Sequence, residues 1–185
     1  KELMASIKDF DNLVFEGHST DYQTKYKLRE LVEDGVGILK VGPALTYAAR
    51  EALFALAYME EMMFHGREDE ASHFIDTLEK AMLKNPKNWA KHYHGNEDEL
   101  WFKRKFSFSD RSRYYMPDPD VQAAMKKLFA NLEKEGVNLA VLSQFMPIQY
   151  TKVREGKLEA KPEELIKDRV KNTIDEYLYA SHQDE

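Results

Sequence analysis

Only three segments of this chain are short, apolar and closed off by polar or Gly/Pro punctuation. They are Leu13-Val14-Phe15-Glu16, Gly37-Ile38-Leu39-Lys40-Val41-Gly42 and Leu139-Ala140-Val141-Leu142-Ser143. Runs of this kind read as buried strands of a parallel sheet. Their scarcity is the tightest constraint on the fold, because three strands neither close a barrel nor protect the edges of a sheet. The expected order is strand, helix, strand, a long helical excursion, strand, helix. Such alternation implies parallel strands joined by right-handed crossovers, with further strands expected on the amino-terminal side. An open doubly wound sheet is the alternative arrangement. Lys1-Glu2-Leu3-Met4 has the form of neither a signal peptide nor an initiator start, so the chain reads as the middle of something longer.

The remaining segments carry helical spacing. Tyr22 to Asp34 carries Tyr26, Leu28, Leu31 and Val32 at helical spacing, with Gly35 just past the end. Thr46 to Phe64 is apolar almost all round and predicts a largely buried helix. Ala71 to Leu83 and Trp89 to His94 are further expected helices, split by Asn85-Pro86. Asp118-Pro119 is a start signal, an N-cap Asp followed by Pro at the first helical position. That helix is expected to stop at Gly136, and a last one to begin near Pro162.

Several function classes are excluded or disfavoured by composition. The 185 residues suffice for one core, and a hydrophobic content of 43% argues against disorder. With no cysteine, the chain has no disulfide, thiolate nucleophile or cysteine-ligated metal. A net charge of −6 with no dominant basic block argues against nucleic acid, and no apolar run approaches the ~20 residues that cross a bilayer. No P-loop, GxGxxG, Gly-x-Ser-x-Gly or His-Glu-x-x-His signature occurs.

The residues that can carry chemistry gather where strands end, the place where α/β folds meet their ligands. In Phe15-Glu16-Gly17-His18-Ser19-Thr20-Asp21, the two-residue period sets Glu16 and His18 on one face. A carboxylate beside an imidazole suits acid/base work or metal binding. Alternatively, Glu16 is a satisfied carboxylate and Ser19, Thr20 or Asp21 caps the next helix. Lys40, in an apolar run, needs a partner and Glu16 is the nearest candidate. The other reading is a ligand-binding or Schiff-base lysine. Gly42-Pro43 opens a helix whose amino terminus can hold an anion. In Phe106–Tyr115, Ser109, Arg111 and Arg113 can grip a phosphate or carboxylate, or tie down their own turn. Gln144, at the expected end of the third strand, suits sugar hydroxyls or a turn.

These segments also carry a resemblance. FEGHSTDYQT (Phe15 to Thr24), ILKVGPALTYAAREALFALA (Ile38 to Ala57), FSFSDRSRYYMPDP (Phe106 to Pro119) and LSQFMPIQY (Leu142 to Tyr150) resemble the accessory, non-catalytic subunit of class II D-tagatose-1,6-bisphosphate aldolase. Members of that family have also carried the older name tagatose-6-phosphate kinase. The resemblance runs in order through nearly the whole chain. It implies that residues 1–185 are the carboxyl-terminal part of a single (β/α)8 TIM-type barrel, with a long helical insertion before the last strand. It also implies a cytoplasmic role in hexitol and amino-sugar catabolism (galactitol, N-acetylgalactosamine). There the subunit supports a separate catalytic aldolase subunit that carries the zinc, with no cofactor in this chain. A sugar-phosphate pocket would then use Lys40, Arg111 and Arg113 for phosphate, and Glu16, His18 and Gln144 for hydroxyls, with Ser19, Asp21 and Ser109 beside them. A lyase or kinase with its own turnover is the alternative. Gly17 stands where alanine is expected, Met116 where tryptophan is common, and Phe145-Met146 where a Tyr-Leu pair is expected. None of these removes a polar group.

Overall fold

The computed structural model describes residues 5–7, 10 and 12–183. They form a mostly helical α/β protein with one small parallel sheet of two strands. The elements are β1 (Phe15–Gly17), α1 (Lys25–Glu33), β2 (Val36–Leu39), α2 (Ala44–Met63), α3 (Phe74–Lys84), α4 (Glu97–Phe106), α5 (Pro119–Glu135), α6 (Leu139–Phe145), α7 (Pro147–Arg154) and α8 (Pro162–Ala180). Short 3₁₀ turns lie at Glu68–Glu70, Pro86–Asn88 and Arg111–Tyr114. The chain divides into two compact units: a sheet unit, Lys1–Leu45 with Val170–Glu185, and a helical unit, Thr46–Arg169.

In the sheet unit β1 and β2 run parallel, with Phe15 opposite Val36, Glu16 opposite Ile38 and Gly17 opposite Leu39, and an irregularity between Phe15 and Glu16. The crossover helix α1 starts at Thr24, whose hydroxyl accepts from the Lys27 amide, and packs against β2 with Leu28 fully buried. Tyr179 meets Tyr26 edge to face at 5.8 Å between ring centres, and the charged ends of Lys25 and Arg29 each lie 4.7 Å from its ring centre. Leu13, Val14 and Ile38 remain exposed on and beside the strands. A cavity of about 620 Å³ lies along β2, lined by Val36, Leu39, Val41, Ile174, Tyr177 and Leu178 among others.

The helical unit holds the larger core. Phe54, Leu56 and Met59 of α2 pack with Phe74, Leu78 and Met82 of α3, Leu128 and Leu132 of α5, Leu142 of α6 and Leu165 of α8. Asp118 caps α5 as expected, its carboxylate accepting from the Asp120 amide at 2.9 Å, and Gly136 ends the helix with a positive φ of 76°. Glu60 is buried, and among the described residues no cation pairs with it. It accepts instead from the Ser72 amide (3.0 Å), the Ser72 hydroxyl (2.5 Å) and the Asn131 amide (2.6 Å). Its neighbour Glu61 is held above the usual carboxylate range, first by desolvation and then by Asp76 and Glu60, with His73 opposing. A carboxyl raised in the folded state costs stability once it ionises. Glu61→Gln is therefore expected to melt about 1 °C higher at pH 7–8, the gain closing as pH falls below the carboxylate range. A melting series across pH checks this.

Two sequence expectations are corrected here. Leu139 to Ser143 is helix α6, so the helical excursion is not followed by a third strand. Asn138 decides this locally, since its side chain accepts from the amides of Ala140 and Val141 and starts a helix. A five-residue apolar run has no periodicity that separates strand from buried helix, and here only Leu142 is fully buried. Trp89 to His94 is not a helix either. Trp89 accepts from the amides of His92 and Tyr93, but the turn stops at Gly95, whose φ is 146°. Two further helices, α4 and α7, lie where none was expected. α4 opens with a full capping box between Asn96 and Glu99.

Candidate functional site

The strand-end cluster is assembled by the sheet. Glu16 Oε1 lies 3.2 Å from His18 Nε2 and 3.4 Å from Lys40 Nζ. Register explains the grouping: the two-residue period puts Glu16 and His18 on one side, and the Lys40 amide donates to the Gly17 carbonyl (2.9 Å), which carries Lys40 alongside. All three side chains are well exposed, with Lys40 at 57%. Lys40 therefore keeps most of its hydration, and the pairing with Glu16 is the one expected from the sequence.

The loop that follows is wound tightly. Ser19 and Tyr22 both adopt left-handed backbone, with φ of 57° and 63°, a conformation that non-glycine residues keep only when their surroundings impose it. Between them Thr20 is buried. Its hydroxyl donates to the Lys40 carbonyl (2.8 Å) and lies 3.1 Å from the Tyr177 hydroxyl. The single Thr20 proton is used on Lys40, so Tyr177 is the donor of the second bond. Burial raises the Tyr177 phenol first, and Asp21 and Glu176 add to the rise. His18, Ser19 and Thr20 also line a cavity of about 370 Å³ with Gln23, Lys27, Glu30 and Leu31 of the following segment.

Asp21 changes the expectation for the helix that begins at Ala44. Its Oδ1 accepts from the amides of Gly42 and Ala44, each at 2.9 Å. The amino terminus of α2 is thus filled by the chain's own carboxylate, and Asp21 caps α2 rather than α1. Asp21→Ala is expected to cost about 1–2 kcal/mol, with Asp21→Asn losing less because its amide oxygen can still accept. Urea unfolding of both variants measures the difference.

In the helical unit Asp110 is the hub. It is fully buried and left-handed (φ 44°). Its Oδ1 accepts from the Ser112 hydroxyl (2.7 Å) and its Oδ2 from the Thr46 hydroxyl (2.9 Å), while Arg50 Nε stands 3.5 Å from Oδ1. Arg113 donates to the carbonyls of Ser109 (2.9 Å) and Asp110 (3.0 Å), and so ties down its own turn. Tyr93 bridges the turn, its hydroxyl accepting from the Ser109 hydroxyl (3.2 Å) and the Arg111 amide (3.1 Å). Nearby His92 is pushed down, first by desolvation and then by Arg111, Lys91 and His94.

Ser109, Arg111 and Arg113 are therefore brought together. Gln144 sits on α6 and donates to the Ser143 hydroxyl next to it. Among the described residues no hydrogen bond links it to that turn. The sequence reading offered Thr20 only as a helix cap and missed Arg50, Tyr93 and Tyr177. Asp110, between the chosen Ser109 and Arg111, was not chosen itself. Among the described residues no group of three or more His, Asp or Glu side chains is placed to hold a metal ion, and no helix is long and apolar enough to cross a membrane.

Residues 1–182 match the family described as D-tagatose-1,6-bisphosphate aldolase subunit GatZ/KbaZ-like. The chain belongs to this family. It is also similar in structure to a probable tagatose 6 phosphate kinase from Sinorhizobium meliloti 1021, with 39% sequence identity and a TM-score of 0.89. That similarity covers 97% of this chain and 46% of the other, so the family member described here spans about half the length of its solved relative.

Proposed function

We propose that this chain is part of an accessory subunit that supports the activity and stability of a class II tagatose-1,6-bisphosphate aldolase in sugar catabolism in the cytoplasm. The observation that carries this reading is the family match across residues 1–182. In this reading zinc belongs to the partner catalytic subunit. The two parallel strands, with α1 crossing between them, belong to the carboxyl-terminal part of a (β/α)8 barrel, an assignment favoured by a solved relative about twice as long. A sugar phosphate meets the carboxyl ends of β1 and β2, where Lys40 offers a solvated cation to phosphate and Glu16 and His18 address hydroxyls.

Co-expression with the catalytic subunit tests the role. The two proteins are expected to co-purify, and the aldolase is expected to lose activity faster on storage when this protein is omitted. Equal activity and equal lifetime with and without it would sink the proposal. The name of the solved relative favours a second reading, a sugar-phosphate kinase. ATP consumption dependent on tagatose 6-phosphate by the protein alone would establish that instead.

A further inference from the structure

The helical unit contains a cation with no counterpart in the site proposed above. Arg50 of α2 is 2% exposed, and its guanidinium lies over the faces of Tyr47 (4.2 Å) and Phe54 (5.0 Å). A guanidinium stays charged when buried, so its N–H groups need acceptors. The obvious one is Asp110, yet that carboxylate is turned toward the hydroxyls of Ser112 and Thr46 and approaches Arg50 Nε only to 3.5 Å. A charge-assisted bond would close to about 2.7–2.9 Å, and a carboxylate facing an arginine fork squarely would take two such bonds. Among the described residues, Arg50 Nε and Nη2 have no hydrogen-bond acceptor, and neither has the enclosed Nε of Arg111.

We propose that Arg50, with Arg111, anchors a phosphoryl-binding site in the helical unit, separate from the Glu16–His18–Lys40 cluster. The choice of a phosphoryl group over other oxyanions rests on the sugar-phosphate reading above. The charges agree with it: the Arg111 and Arg113 guanidiniums both lie near the Tyr114 ring (5.9 and 4.7 Å), on the turn whose Asp110 carboxylate approaches Arg50. The turn is also held in advance, because Arg113 clamps the carbonyls of Ser109 and Asp110 while Asp110 keeps a left-handed backbone. Phe108, which is 62% exposed, packs against Tyr47 at 5.3 Å between ring centres, on the ring that faces Arg50.

The test uses the full-length protein and inorganic phosphate as probe, read by melting temperature and by calorimetric titration against chloride of equal ionic strength. Phosphate is expected to raise the melting temperature of the wild type. Arg50→Lys, which keeps a charge and loses the fork, is expected to bind phosphate at least tenfold more weakly. Should Arg50→Lys not fold, Arg111→Gln is read instead, with a loss of at least threefold expected. The loss on Arg50→Lys must persist in a Lys40→Ala background, which separates this site from the strand-end one. Whether the protein sustains a partner aldolase has no bearing on this readout. Three results would each overturn the proposal: no rise with phosphate in the wild type, an undiminished rise in Arg50→Lys despite lower basal melting, or an equal rise with acetate.

Discussion

Glu79→Ala is expected to destabilise the helical unit by about 3–5 kcal/mol, the cost of breaking a buried ion pair from one side. Glu79 Oε1 accepts from Arg104 Nε at 2.7 Å, and its Oε2 lies 3.0 Å from Lys105 Nζ, an ion pair away from hydrogen-bond geometry. Both cations are buried, with side chains only 1% and 7% exposed. Arg104 also donates to Glu97 at 2.8 Å and lies 5.0 Å from the Trp89 ring centre, while Lys105 stands 4.3 Å from that of Trp101. Burial works against the Arg104 charge, yet the bonds to Glu97 and Glu79 outweigh it and hold the guanidinium above its ordinary value. Without Glu79, the Arg104 charge stays buried, because a guanidinium does not give up its proton. Glu79→Gln keeps one acceptor and is expected to fall between wild type and alanine. Urea unfolding decides the matter: a loss below about 1 kcal/mol for Glu79→Ala would mean that the cluster is screened like a surface pair.

Phe74→Ala is expected to cost about as much, roughly 3–5 kcal/mol, by a different route. Phe74 opens α3 and is 1% exposed, with its ring edge-on to Phe54 at 6.4 Å. It follows His73, a left-handed residue whose side chain makes no capping bond, so the start of α3 is held by packing and not by a cap. Removing the ring both empties core volume and frees that start. Phe74→Leu retains most of the volume and is expected to lose about 1.5 kcal/mol or less. If alanine costs no more than leucine in equilibrium unfolding, the neighbouring helices have closed over the gap.

The legible parts of this fold are those written locally. Asp118-Pro119 and Gly136 bound α5 because capping is a matter of three or four neighbouring residues. Glu16, His18 and Lys40 could be grouped because strand period and parallel pairing are regular. The apolar run from Leu139 misled because five residues carry no usable period, although Asn138 just before it held the deciding signal. Other features have no local trace. The Asp21 cap joins residues 21 and 23 apart in sequence, and the Thr20–Tyr177 bond joins residues 157 apart. The Thr46–Asp110 bond joins residues 64 apart, and the left-handed backbone at Asp110 is not announced by its neighbours.

The carboxylate seated at the start of α2 also restricts how the sequence can drift. A methyl group added at Gly42 would stand 2.6 Å from Asp21 Oδ2, and that oxygen has little freedom to withdraw because its sister accepts two amides. A side chain at position 42 therefore evicts the cap, and the cap in turn demands a bare α-carbon there. Among related sequences the two positions should be exchanged together, 21 residues apart, or left alone.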